Sequence, residues 1–354
     1  MSEKKSIYLD HAATTQTLDC ARAAFLTAPF GNPSSEHASG QRARDALEQA
    51  RERIARCIGA RPNEIYFTSG ATESCGIALT SMAMAGCYIC FSPYEHHAAT
   101  DVPFVAEKAA YNLPLKANGY VQMLAQNETG EIFSMPELDE DERALVFTDA
   151  TAAAGHIPLY VRKIKADYMA FTAHKFGGVP GAAVLFVRDG APIYPLYYGG
   201  GQEKGKRSGT ENVPAICAMA AALEWQMDHM EENTQKLAAM RQLLFQSLSR
   251  IQDHKWNTPL NSPCVPHILN ISFDGVDAHA LAMLLSKEGV MISPGAACSN
   301  GLHEPSHVIM SMYHDEDRAR SAVRLSLSHE NTPDECVEAA GKITEAVKYL
   351  RSLV

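Results

Sequence analysis

Nowhere in its 354 residues does the sequence carry an apolar run of about 18 residues, so a membrane-spanning helix of ordinary length is excluded. Its start, MSEKKSIYLD, has no apolar segment behind the charges, so no secretion signal is expected and the reading is cytoplasmic. Positive charge is also short. The 31 Lys and Arg stand against 41 Asp and Glu, a formal net charge of −10, and the basic residues are scattered. A phosphate-backbone partner needs clustered cations, so nucleic acid is excluded. Repeats and low-complexity tracts are absent. A disulfide framework is missing too: the nine cysteines are odd in number and irregular in spacing, in a chain too large to need staples, which points to reduced thiols. Cys87 and Cys90 form a CxxC, but inside the strand-like CYICFS residues three apart face opposite ways, which speaks against a redox or metal pair.

What is present fits an enzyme of two domains. The hydrophobic share is 46% and the charged share 20%, ordinary for a chain with a large core. Helical and strand-like stretches alternate: a helix from about Gly40 to Ile58, the strand EIYFTSG, a helix opening at Thr72, the strand CYICFS and a helix after Glu95. Strands near Leu113, Val121 and Leu145, then Tyr168 to Phe171 and Ala183 to Val187, continue the series. That alternation predicts an α/β fold with a mostly parallel sheet covered by helices. The segment Tyr194 to Glu211, rich in Tyr and Gly, is a long excursion of the kind that carries function. A long amphipathic stretch from about Val213 to Arg250 leads into the turn residues around Pro259 to Pro266. A boundary there gives a large domain over 15–252, with 1–14 and 253–354 forming a small α+β domain.

Four constellations carry chemistry. In FTSGATES, Phe67 to Ser74, a strand breaks at a glycine and a helix starts at Ala71-Thr72, where free N–H groups suit a phosphate; a plain helix cap is the alternative. In SPYEHHA, a histidine at a strand end can stack on a planar group or move protons, and only one of His96 and His97 is expected to face a pocket. Asp149 closes the apolar run ALVFTD and Lys175 closes AFTAHK. An aspartate and a lysine at strand ends are what pyridoxal phosphate requires, the lysine for its aldehyde and the carboxylate for its ring nitrogen. Gly177-Gly178 after Lys175 predicts a tight turn against something. Finally, SPGAACSNGLHEPS sets Cys298 among small, flexible residues, surroundings suited to a reactive thiol. A metal site from Cys298, His303 and His307 lacks a convincing fourth ligand, so no metal is expected.

YLDHAATT (Tyr8 to Thr15), GNPSSEHASG (Gly31 to Gly40), FTSGATES, the EHHA at Glu95, QNETG (Gln126 to Gly130), DAT at Asp149, HK at His174, GGGQEKGKRSGTENV (Gly199 to Val213), GAACS around Cys298 and VRLSLS (Val323 to Ser328) together resemble the NifS/IscS-type cysteine desulfurases. These belong to the class V aminotransferases, and the motifs occur in family order over essentially the whole chain. The resemblance implies the pyridoxal-phosphate transferase fold of the aspartate aminotransferase type. It implies pyridoxal 5'-phosphate as cofactor, L-cysteine as substrate, and alanine with a persulfide on Cys298 as products. The sulfur would pass to an acceptor protein or small thiol, with iron–sulfur cluster assembly one destination.

Residue roles follow from the resemblance alone. Lys175 would be the Schiff-base lysine and the base at the substrate α-carbon; Asp149 would face the ring nitrogen, and His96 would stack on the ring and assist proton transfer. Ala71, Thr72, Thr172 and His174 would hold the phosphate, Thr210 would reach the cofactor of a neighbouring subunit in a homodimer, Asn127 would touch cofactor and substrate, and Arg324 would clamp the substrate carboxylate. Three positions depart from the family pattern: Ala152 stands where glutamine is usual, His11 for asparagine, and Gly76 where asparagine is frequent. By the resemblance, the sequence stops at Val354 without the tail that in related enzymes helps dock an iron–sulfur scaffold, which leaves the acceptor open. A selenocysteine lyase or an aminotransferase of the same fold, or a non-catalytic homologue, are the alternative readings.

Overall fold

The computed structural model describes residues 6–102, 117–135, 144–295 and 304–353. Its strands are β1 (Ile7–Tyr8), β2 (Ile65–Thr68), β3 (Ile89–Phe91), β4 (Gly119–Val121), β5 (Leu145–Asp149), β6 (Tyr168–Thr172), β7 (Ala183–Val187), β8 (His254–Trp256), β9 (Ile268–Phe273), β10 (Val290–Met291), β11 (Ser293–Pro294) and β12 (Ala322–Ser326). The helices are α1 (Asp19–Thr27), α2 (Ala38–Ile58), α3 (Ala71–Met84), α4 (His97–Thr100), α5 (Val161–Ile164), α6 (Val213–Asp228), α7 (Met230–Leu248), α8 (Ala278–Lys287), α9 (His307–Tyr313), α10 (Glu316–Arg320) and α11 (Pro333–Arg351). No helix among the described residues is long and apolar enough to cross a membrane.

The chain divides into two compact units. One comprises 16–125 with 133–229, the other 1–15, 126–132 and 230–354. The division expected from the sequence, at 252, differs in two segments. α7 goes with the smaller unit because Leu237, Met240, Leu244 and Leu248 share one core with Ile343 and Val347 of α11. The break falls at His229, where the amphipathic stretch that reads as continuous ends one helix and begins another.

The larger unit is built on a six-stranded sheet in the order β2-β7-β6-β5-β4-β3. β3 through β6 run parallel, while β7 is antiparallel to both β2 and β6, giving a mixed, mostly parallel sheet. All five residues of β6 and of β7 are buried, as continuous apolar runs are when helices cover both faces. Fully burying a phenylalanine such as Phe147 contributes about 2–3 kcal/mol, so these runs fix the sheet before any polar contact does. On α2 the buried positions Ala43, Leu47, Ala50, Ile54 and Ile58 fall on one face, and Gly59 ends the helix in the left-handed region at φ 66°. Because β2 shares the direction of β6, the carboxyl ends of β2, β3, β5 and β6 lie along one edge of the sheet. That edge is where α/β folds bind ligands.

The smaller unit holds a four-stranded sheet, β11-β12-β9-β8, and the pair β1-β10. Its closing helix α11 starts at a capping box, with Thr332 and Glu335 exchanging hydrogen bonds around Pro333. Three sequence expectations, the strand near Leu113 and the settings of Cys298 and His303, lie outside the described residues.

Candidate active site

At the end of β2 the chain passes through Ser69 and Gly70 into α3. Gly70 is the N-cap and offers no side-chain acceptor, and a Cβ built there would meet nothing within 4 Å. The first N–H groups of the helix therefore have no side-chain cap and lie at the positive dipole end. Glu73, in the first turn, accepts from the Ser69 N–H and hydroxyl at 2.7 and 2.6 Å and is gripped by Arg207, Nε to Oε1 at 2.7 Å and Nη2 to Oε2 at 3.2 Å. Burial alone would raise the Glu73 carboxyl, but these partners hold it below its usual value.

One strand end away in sequence, the loop after β3 carries Glu95 and His96. His96 is half-buried and caps α4: its Nδ1 accepts from the Ala98 N–H at 3.0 Å, so the neutral ring carries its proton on Nε2. His97 is exposed, 3.6 Å from Asp101, so of the pair it is His96 that turns inward. Glu95 is fully buried, accepts from the Met123 N–H at 2.8 Å, and is pushed up to about 8 by burial, with the charge of Asp149 adding to the shift.

Asp149 closes β5 at 5% exposure, its Oδ1 accepting from the Thr151 N–H at 2.8 Å. The Thr151 hydroxyl beside it is buried without a hydrogen-bond partner, and Ala152 follows, half-buried. On the next strand, β6 ends at buried Thr172 and a short turn presents His174 and Lys175. Burial, and then the Lys175 charge, lower His174 to about 4, so its ring is neutral at pH 7. Gly177 has φ 93°, and a Cβ on it would sit 2.6 Å from Leu18 Cγ; one on Gly178 would sit 2.7 Å from Ala173 Cβ. The tight turn expected after Lys175 is made against these two residues.

Thr210 lies exposed in the long excursion, whose only regular element among the described residues is the turn Glu203–Gly205. Buried Glu203 anchors that loop: Arg51 pairs with both of its oxygens at 2.7 and 2.9 Å, and the Phe67 N–H donates at 2.8 Å. A Cβ at Gly76 would meet Leu196 Cδ1 at 3.3 Å, so the small residue here admits the loop's start.

In the smaller unit, Asn127 and Arg324 meet although 197 residues apart: Arg324 Nη1 donates to the Asn127 carbonyl at 2.9 Å. The QNETG turn that holds Asn127 is braced by the Gln126 side chain, which accepts from the Glu128 and Thr129 N–H groups. Arg324 is 2% exposed and also pairs with Asp10, Nη2 to Oδ1 at 2.8 Å. His11, next to Asp10, is 5% exposed and hydrogen-bonds Thr15 Oγ1 through Nδ1 at 2.7 Å. Sequence reasoning assigned nothing to Asp10, Glu203 or Arg207. Asp10 and the two loop residues stood inside quoted motifs, which was the one available signal.

The residues of the larger unit fit pyridoxal 5'-phosphate: an uncapped helix start for an anion, a buried carboxylate for a ring nitrogen, a lysine on the neighbouring strand end, and an orphan threonine hydroxyl. No group of three or more metal-ligating side chains occurs among the described residues. The thiols of Cys87 and Cys90 are both raised by burial, which disfavours the thiolate a redox pair needs.

Residues 7–125 and 115–338 match the family described as Aminotransferase class-V. Cysteine desulfurase IscS of Dictyoglomus turgidum is 35% identical to the chain over 381 residues, covering 99% of this chain and 96% of its own. The chain belongs to the class-V aminotransferases, among the IscS/NifS-type cysteine desulfurases. Cysteine desulfurase IscS of Clostridium botulinum is 33% identical, with the same coverage of 99% and 96%. Among solved structures, a NifS-like protein superimposes with a TM-score of 0.88 at 30% identity, covering 97% of this chain and 100% of that one. A NifS-like protein from Rickettsia africae gives 0.87 at 26% identity, over 98% and 99%. The class-V fold thus accounts for both sheets and for the discontinuous smaller unit, and the family is one that works with pyridoxal phosphate.

Proposed function

We propose that the chain is a pyridoxal-phosphate-dependent cysteine desulfurase, which takes the sulfur of L-cysteine onto Cys298 and releases L-alanine. The observation that carries the reading is the shared sheet edge. Lys175, buried Asp149, half-buried His96 and the uncapped start of α3 come from four strand ends that point the same way. In this reading Ala71, Thr72, Thr172 and His174 hold the cofactor phosphate, with His174 kept neutral so that it acts as a hydrogen-bond partner rather than a second cation. Asp149 holds the ring nitrogen, and the Thr151 hydroxyl offers the donor that Ala152 lacks. The bound cofactor supplies an electron sink for bond changes at the substrate α-carbon.

The chain's own residues do the rest. Lys175 Nζ would hold the cofactor aldehyde and, once freed by substrate, carry the α-proton, and His96, whose Nδ1 accepts from the Ala98 N–H and so leaves Nε2–H as the donor, would assist that transfer. Arg324 and Asn127, already joined, receive the substrate: the guanidinium takes the carboxylate, the geometry for which Arg is suited. Cys298, as thiolate, would bond to the substrate sulfur as the substrate C–S bond breaks. The C–S electron pair stays with the carbon skeleton, which takes up a proton on its way to alanine, so the carbon is reduced as the sulfur is oxidised, and Cys298 keeps the sulfur as a persulfide for transfer to an acceptor protein or small thiol. Exposed Phe30, Leu26 and Tyr198, at 92%, 75% and 84%, lie in the unit that carries exposed Thr210, and support a homodimer in which Thr210 serves the neighbouring subunit's cofactor.

The test is to give the purified holoprotein L-cysteine with a thiol reductant and measure alanine and sulfide together. Equal yields that vanish in Cys298→Ala support desulfurase action; alanine that is absent, or unchanged in that variant, sinks the role of Cys298. L-selenocysteine in parallel separates a selenium enzyme from a sulfur one.

A further inference from the structure

A guanidinium buried to 2% has five N–H donors and needs its acceptors fixed. Arg324 has two: Asp10 Oδ1 on Nη2 and the Asn127 carbonyl on Nη1. Its Nε is buried and has no acceptor. The plane of the group is therefore set by two contacts from two separate segments, while donor capacity remains for a further anion.

Asp10 is itself rigidly placed. Leu9 N–H donates to the Met291 carbonyl at 2.9 Å, Ser326 N–H to the Leu9 carbonyl at 2.7 Å, His11 N–H to the Ser326 carbonyl at 3.4 Å, and Ala12 N–H to Ser326 Oγ at 2.8 Å. The backbone on both sides of Asp10 is thus fastened to β10 and β12, and the anchoring residue Ser326 lies two positions from Arg324 on the same strand.

We propose that Asp10 is a positioning residue that holds the Arg324 guanidinium in the plane from which it takes the carboxylate of an α-amino-acid substrate. This rests on the reading of Arg324 given above. The fastened backbone fixes the point from which the Asp10 carboxylate reaches Arg324, as an anchor for the guanidinium requires. Loss of one of the two anchors returns rotamer freedom to a long side chain, and that freedom must be lost again on each binding event. The Asp10 charge works against an incoming carboxylate, so orientation and charge have opposite signs here and separate by substitution. Asp10→Asn keeps an oxygen acceptor and removes the charge; Asp10→Ala removes both.

Calorimetric binding of L-alanine to the holoprotein reads the carboxylate site without turnover, and L-alaninamide, which lacks the carboxylate, is its control. Asp10→Ala is expected to weaken L-alanine about tenfold, equivalent to about 1.4 kcal/mol, and leave L-alaninamide unmoved. Asp10→Asn should return L-alanine affinity to wild type or tighten it, and KM for L-cysteine should follow the same order with kcat little changed. Asp10→Ser, checked by its thermal midpoint, repeats the test should the alanine variant fold poorly. Tighter or unchanged L-alanine binding in Asp10→Ala overturns the proposal, as does an equal loss in Asp10→Asn. Arg324→Ala tells the two levels apart: if it leaves L-alanine binding intact the reading of Arg324 fails, whereas if it abolishes binding and Asp10→Ala does nothing, only the role of Asp10 falls.

Discussion

Replacing Glu203 by alanine should cost more than removing Arg51 and Glu203 together. The two side chains are 4% and 1% exposed, and the pair is bidentate at 2.7 and 2.9 Å. Glu203→Ala strips both charge-assisted bonds from Arg51 and leaves the Phe67 N–H, now bonded at 2.8 Å, without its acceptor. Breaking a buried pair from one side costs about 3–5 kcal/mol. Glu48, half in solvent and 3.0 Å from Arg51 Nε, still offers partial compensation, so the low end, about 3 kcal/mol, is expected. The double variant Arg51→Met/Glu203→Leu removes the stranded charge along with its partner but still leaves the Phe67 N–H and the Ile65 carbonyl without those partners, so it should cost about 1–2 kcal/mol, less than the single variant. A third variant checks the backbone: Glu203 has φ 48°, so Glu203→Gly should be about 1 kcal/mol less damaging than Glu203→Ala. The assay is urea unfolding of the apoprotein followed by far-ultraviolet circular dichroism, comparing midpoints at constant slope. A single variant that loses under about 1 kcal/mol, or a double variant worse than the single, would refute the account.

Gly177→Ala combines a left-handed backbone with a Cβ 2.6 Å from Leu18 Cγ and should destabilise by about 2–4 kcal/mol, measured by the same unfolding curves. Burial lowers His11 from 6.5 to about 4, so the unfolded chain binds a proton near pH 6.5 that the folded one refuses until about pH 4. Stability should therefore be flat in this respect above pH 6.5 and fall by up to roughly 3 kcal/mol as pH drops through that window. His11→Asn should remove this component from the slope; an unchanged slope between pH 6.5 and 4.5 would count against it. Lys175→Ala should abolish the visible absorbance of the holoprotein and its bleaching by borohydride, while Cys298→Ala keeps both; a surviving band in the lysine variant would remove Lys175 from its role.

The buried strands were legible because apolar runs bounded by polar turns admit few other structures: EIYFTSG and ALVFTD became β2 and β5 within a residue or two. The reversed direction of β7 was not, since Ala183–Val187 reads the same in either sense and only the hairpin through Gly177 and Gly181 turns it. The division at His229 escaped for a similar reason. Both α6 and α7 are apolar on one face, and which core each face joins is a tertiary fact. In the candidate site, Asp149, His96 and Lys175 stood out because strand-end placement and residue type coincide. Asp10 did not, because its partner lies 314 residues away and an aspartate after a short strand carries no local mark of a salt bridge. Arg51 and Glu203, 152 residues apart on a helix and a loop, were silent on the same grounds.

The smaller unit is assembled from both ends of the numbering: β1 pairs in parallel with β10, and Asp10 is fastened beside β12. During synthesis, residues 7–10 leave the ribosome hundreds of residues before their partners exist, whereas most of the larger unit's sheet is complete by Val187. At about 5–20 residues per second the amino-terminal strand must wait at least ~15 s, exposed, for the strand that will cover it. Arg324 and Asp10 thus come together late, so a nascent chain can complete the sheet edge that carries Lys175 before these two side chains meet. Chaperone dependence should accordingly track the time between making β1 and making β12, and slowing translation after Val187 should lengthen the period in which Ile7 and Leu9 are available for aggregation.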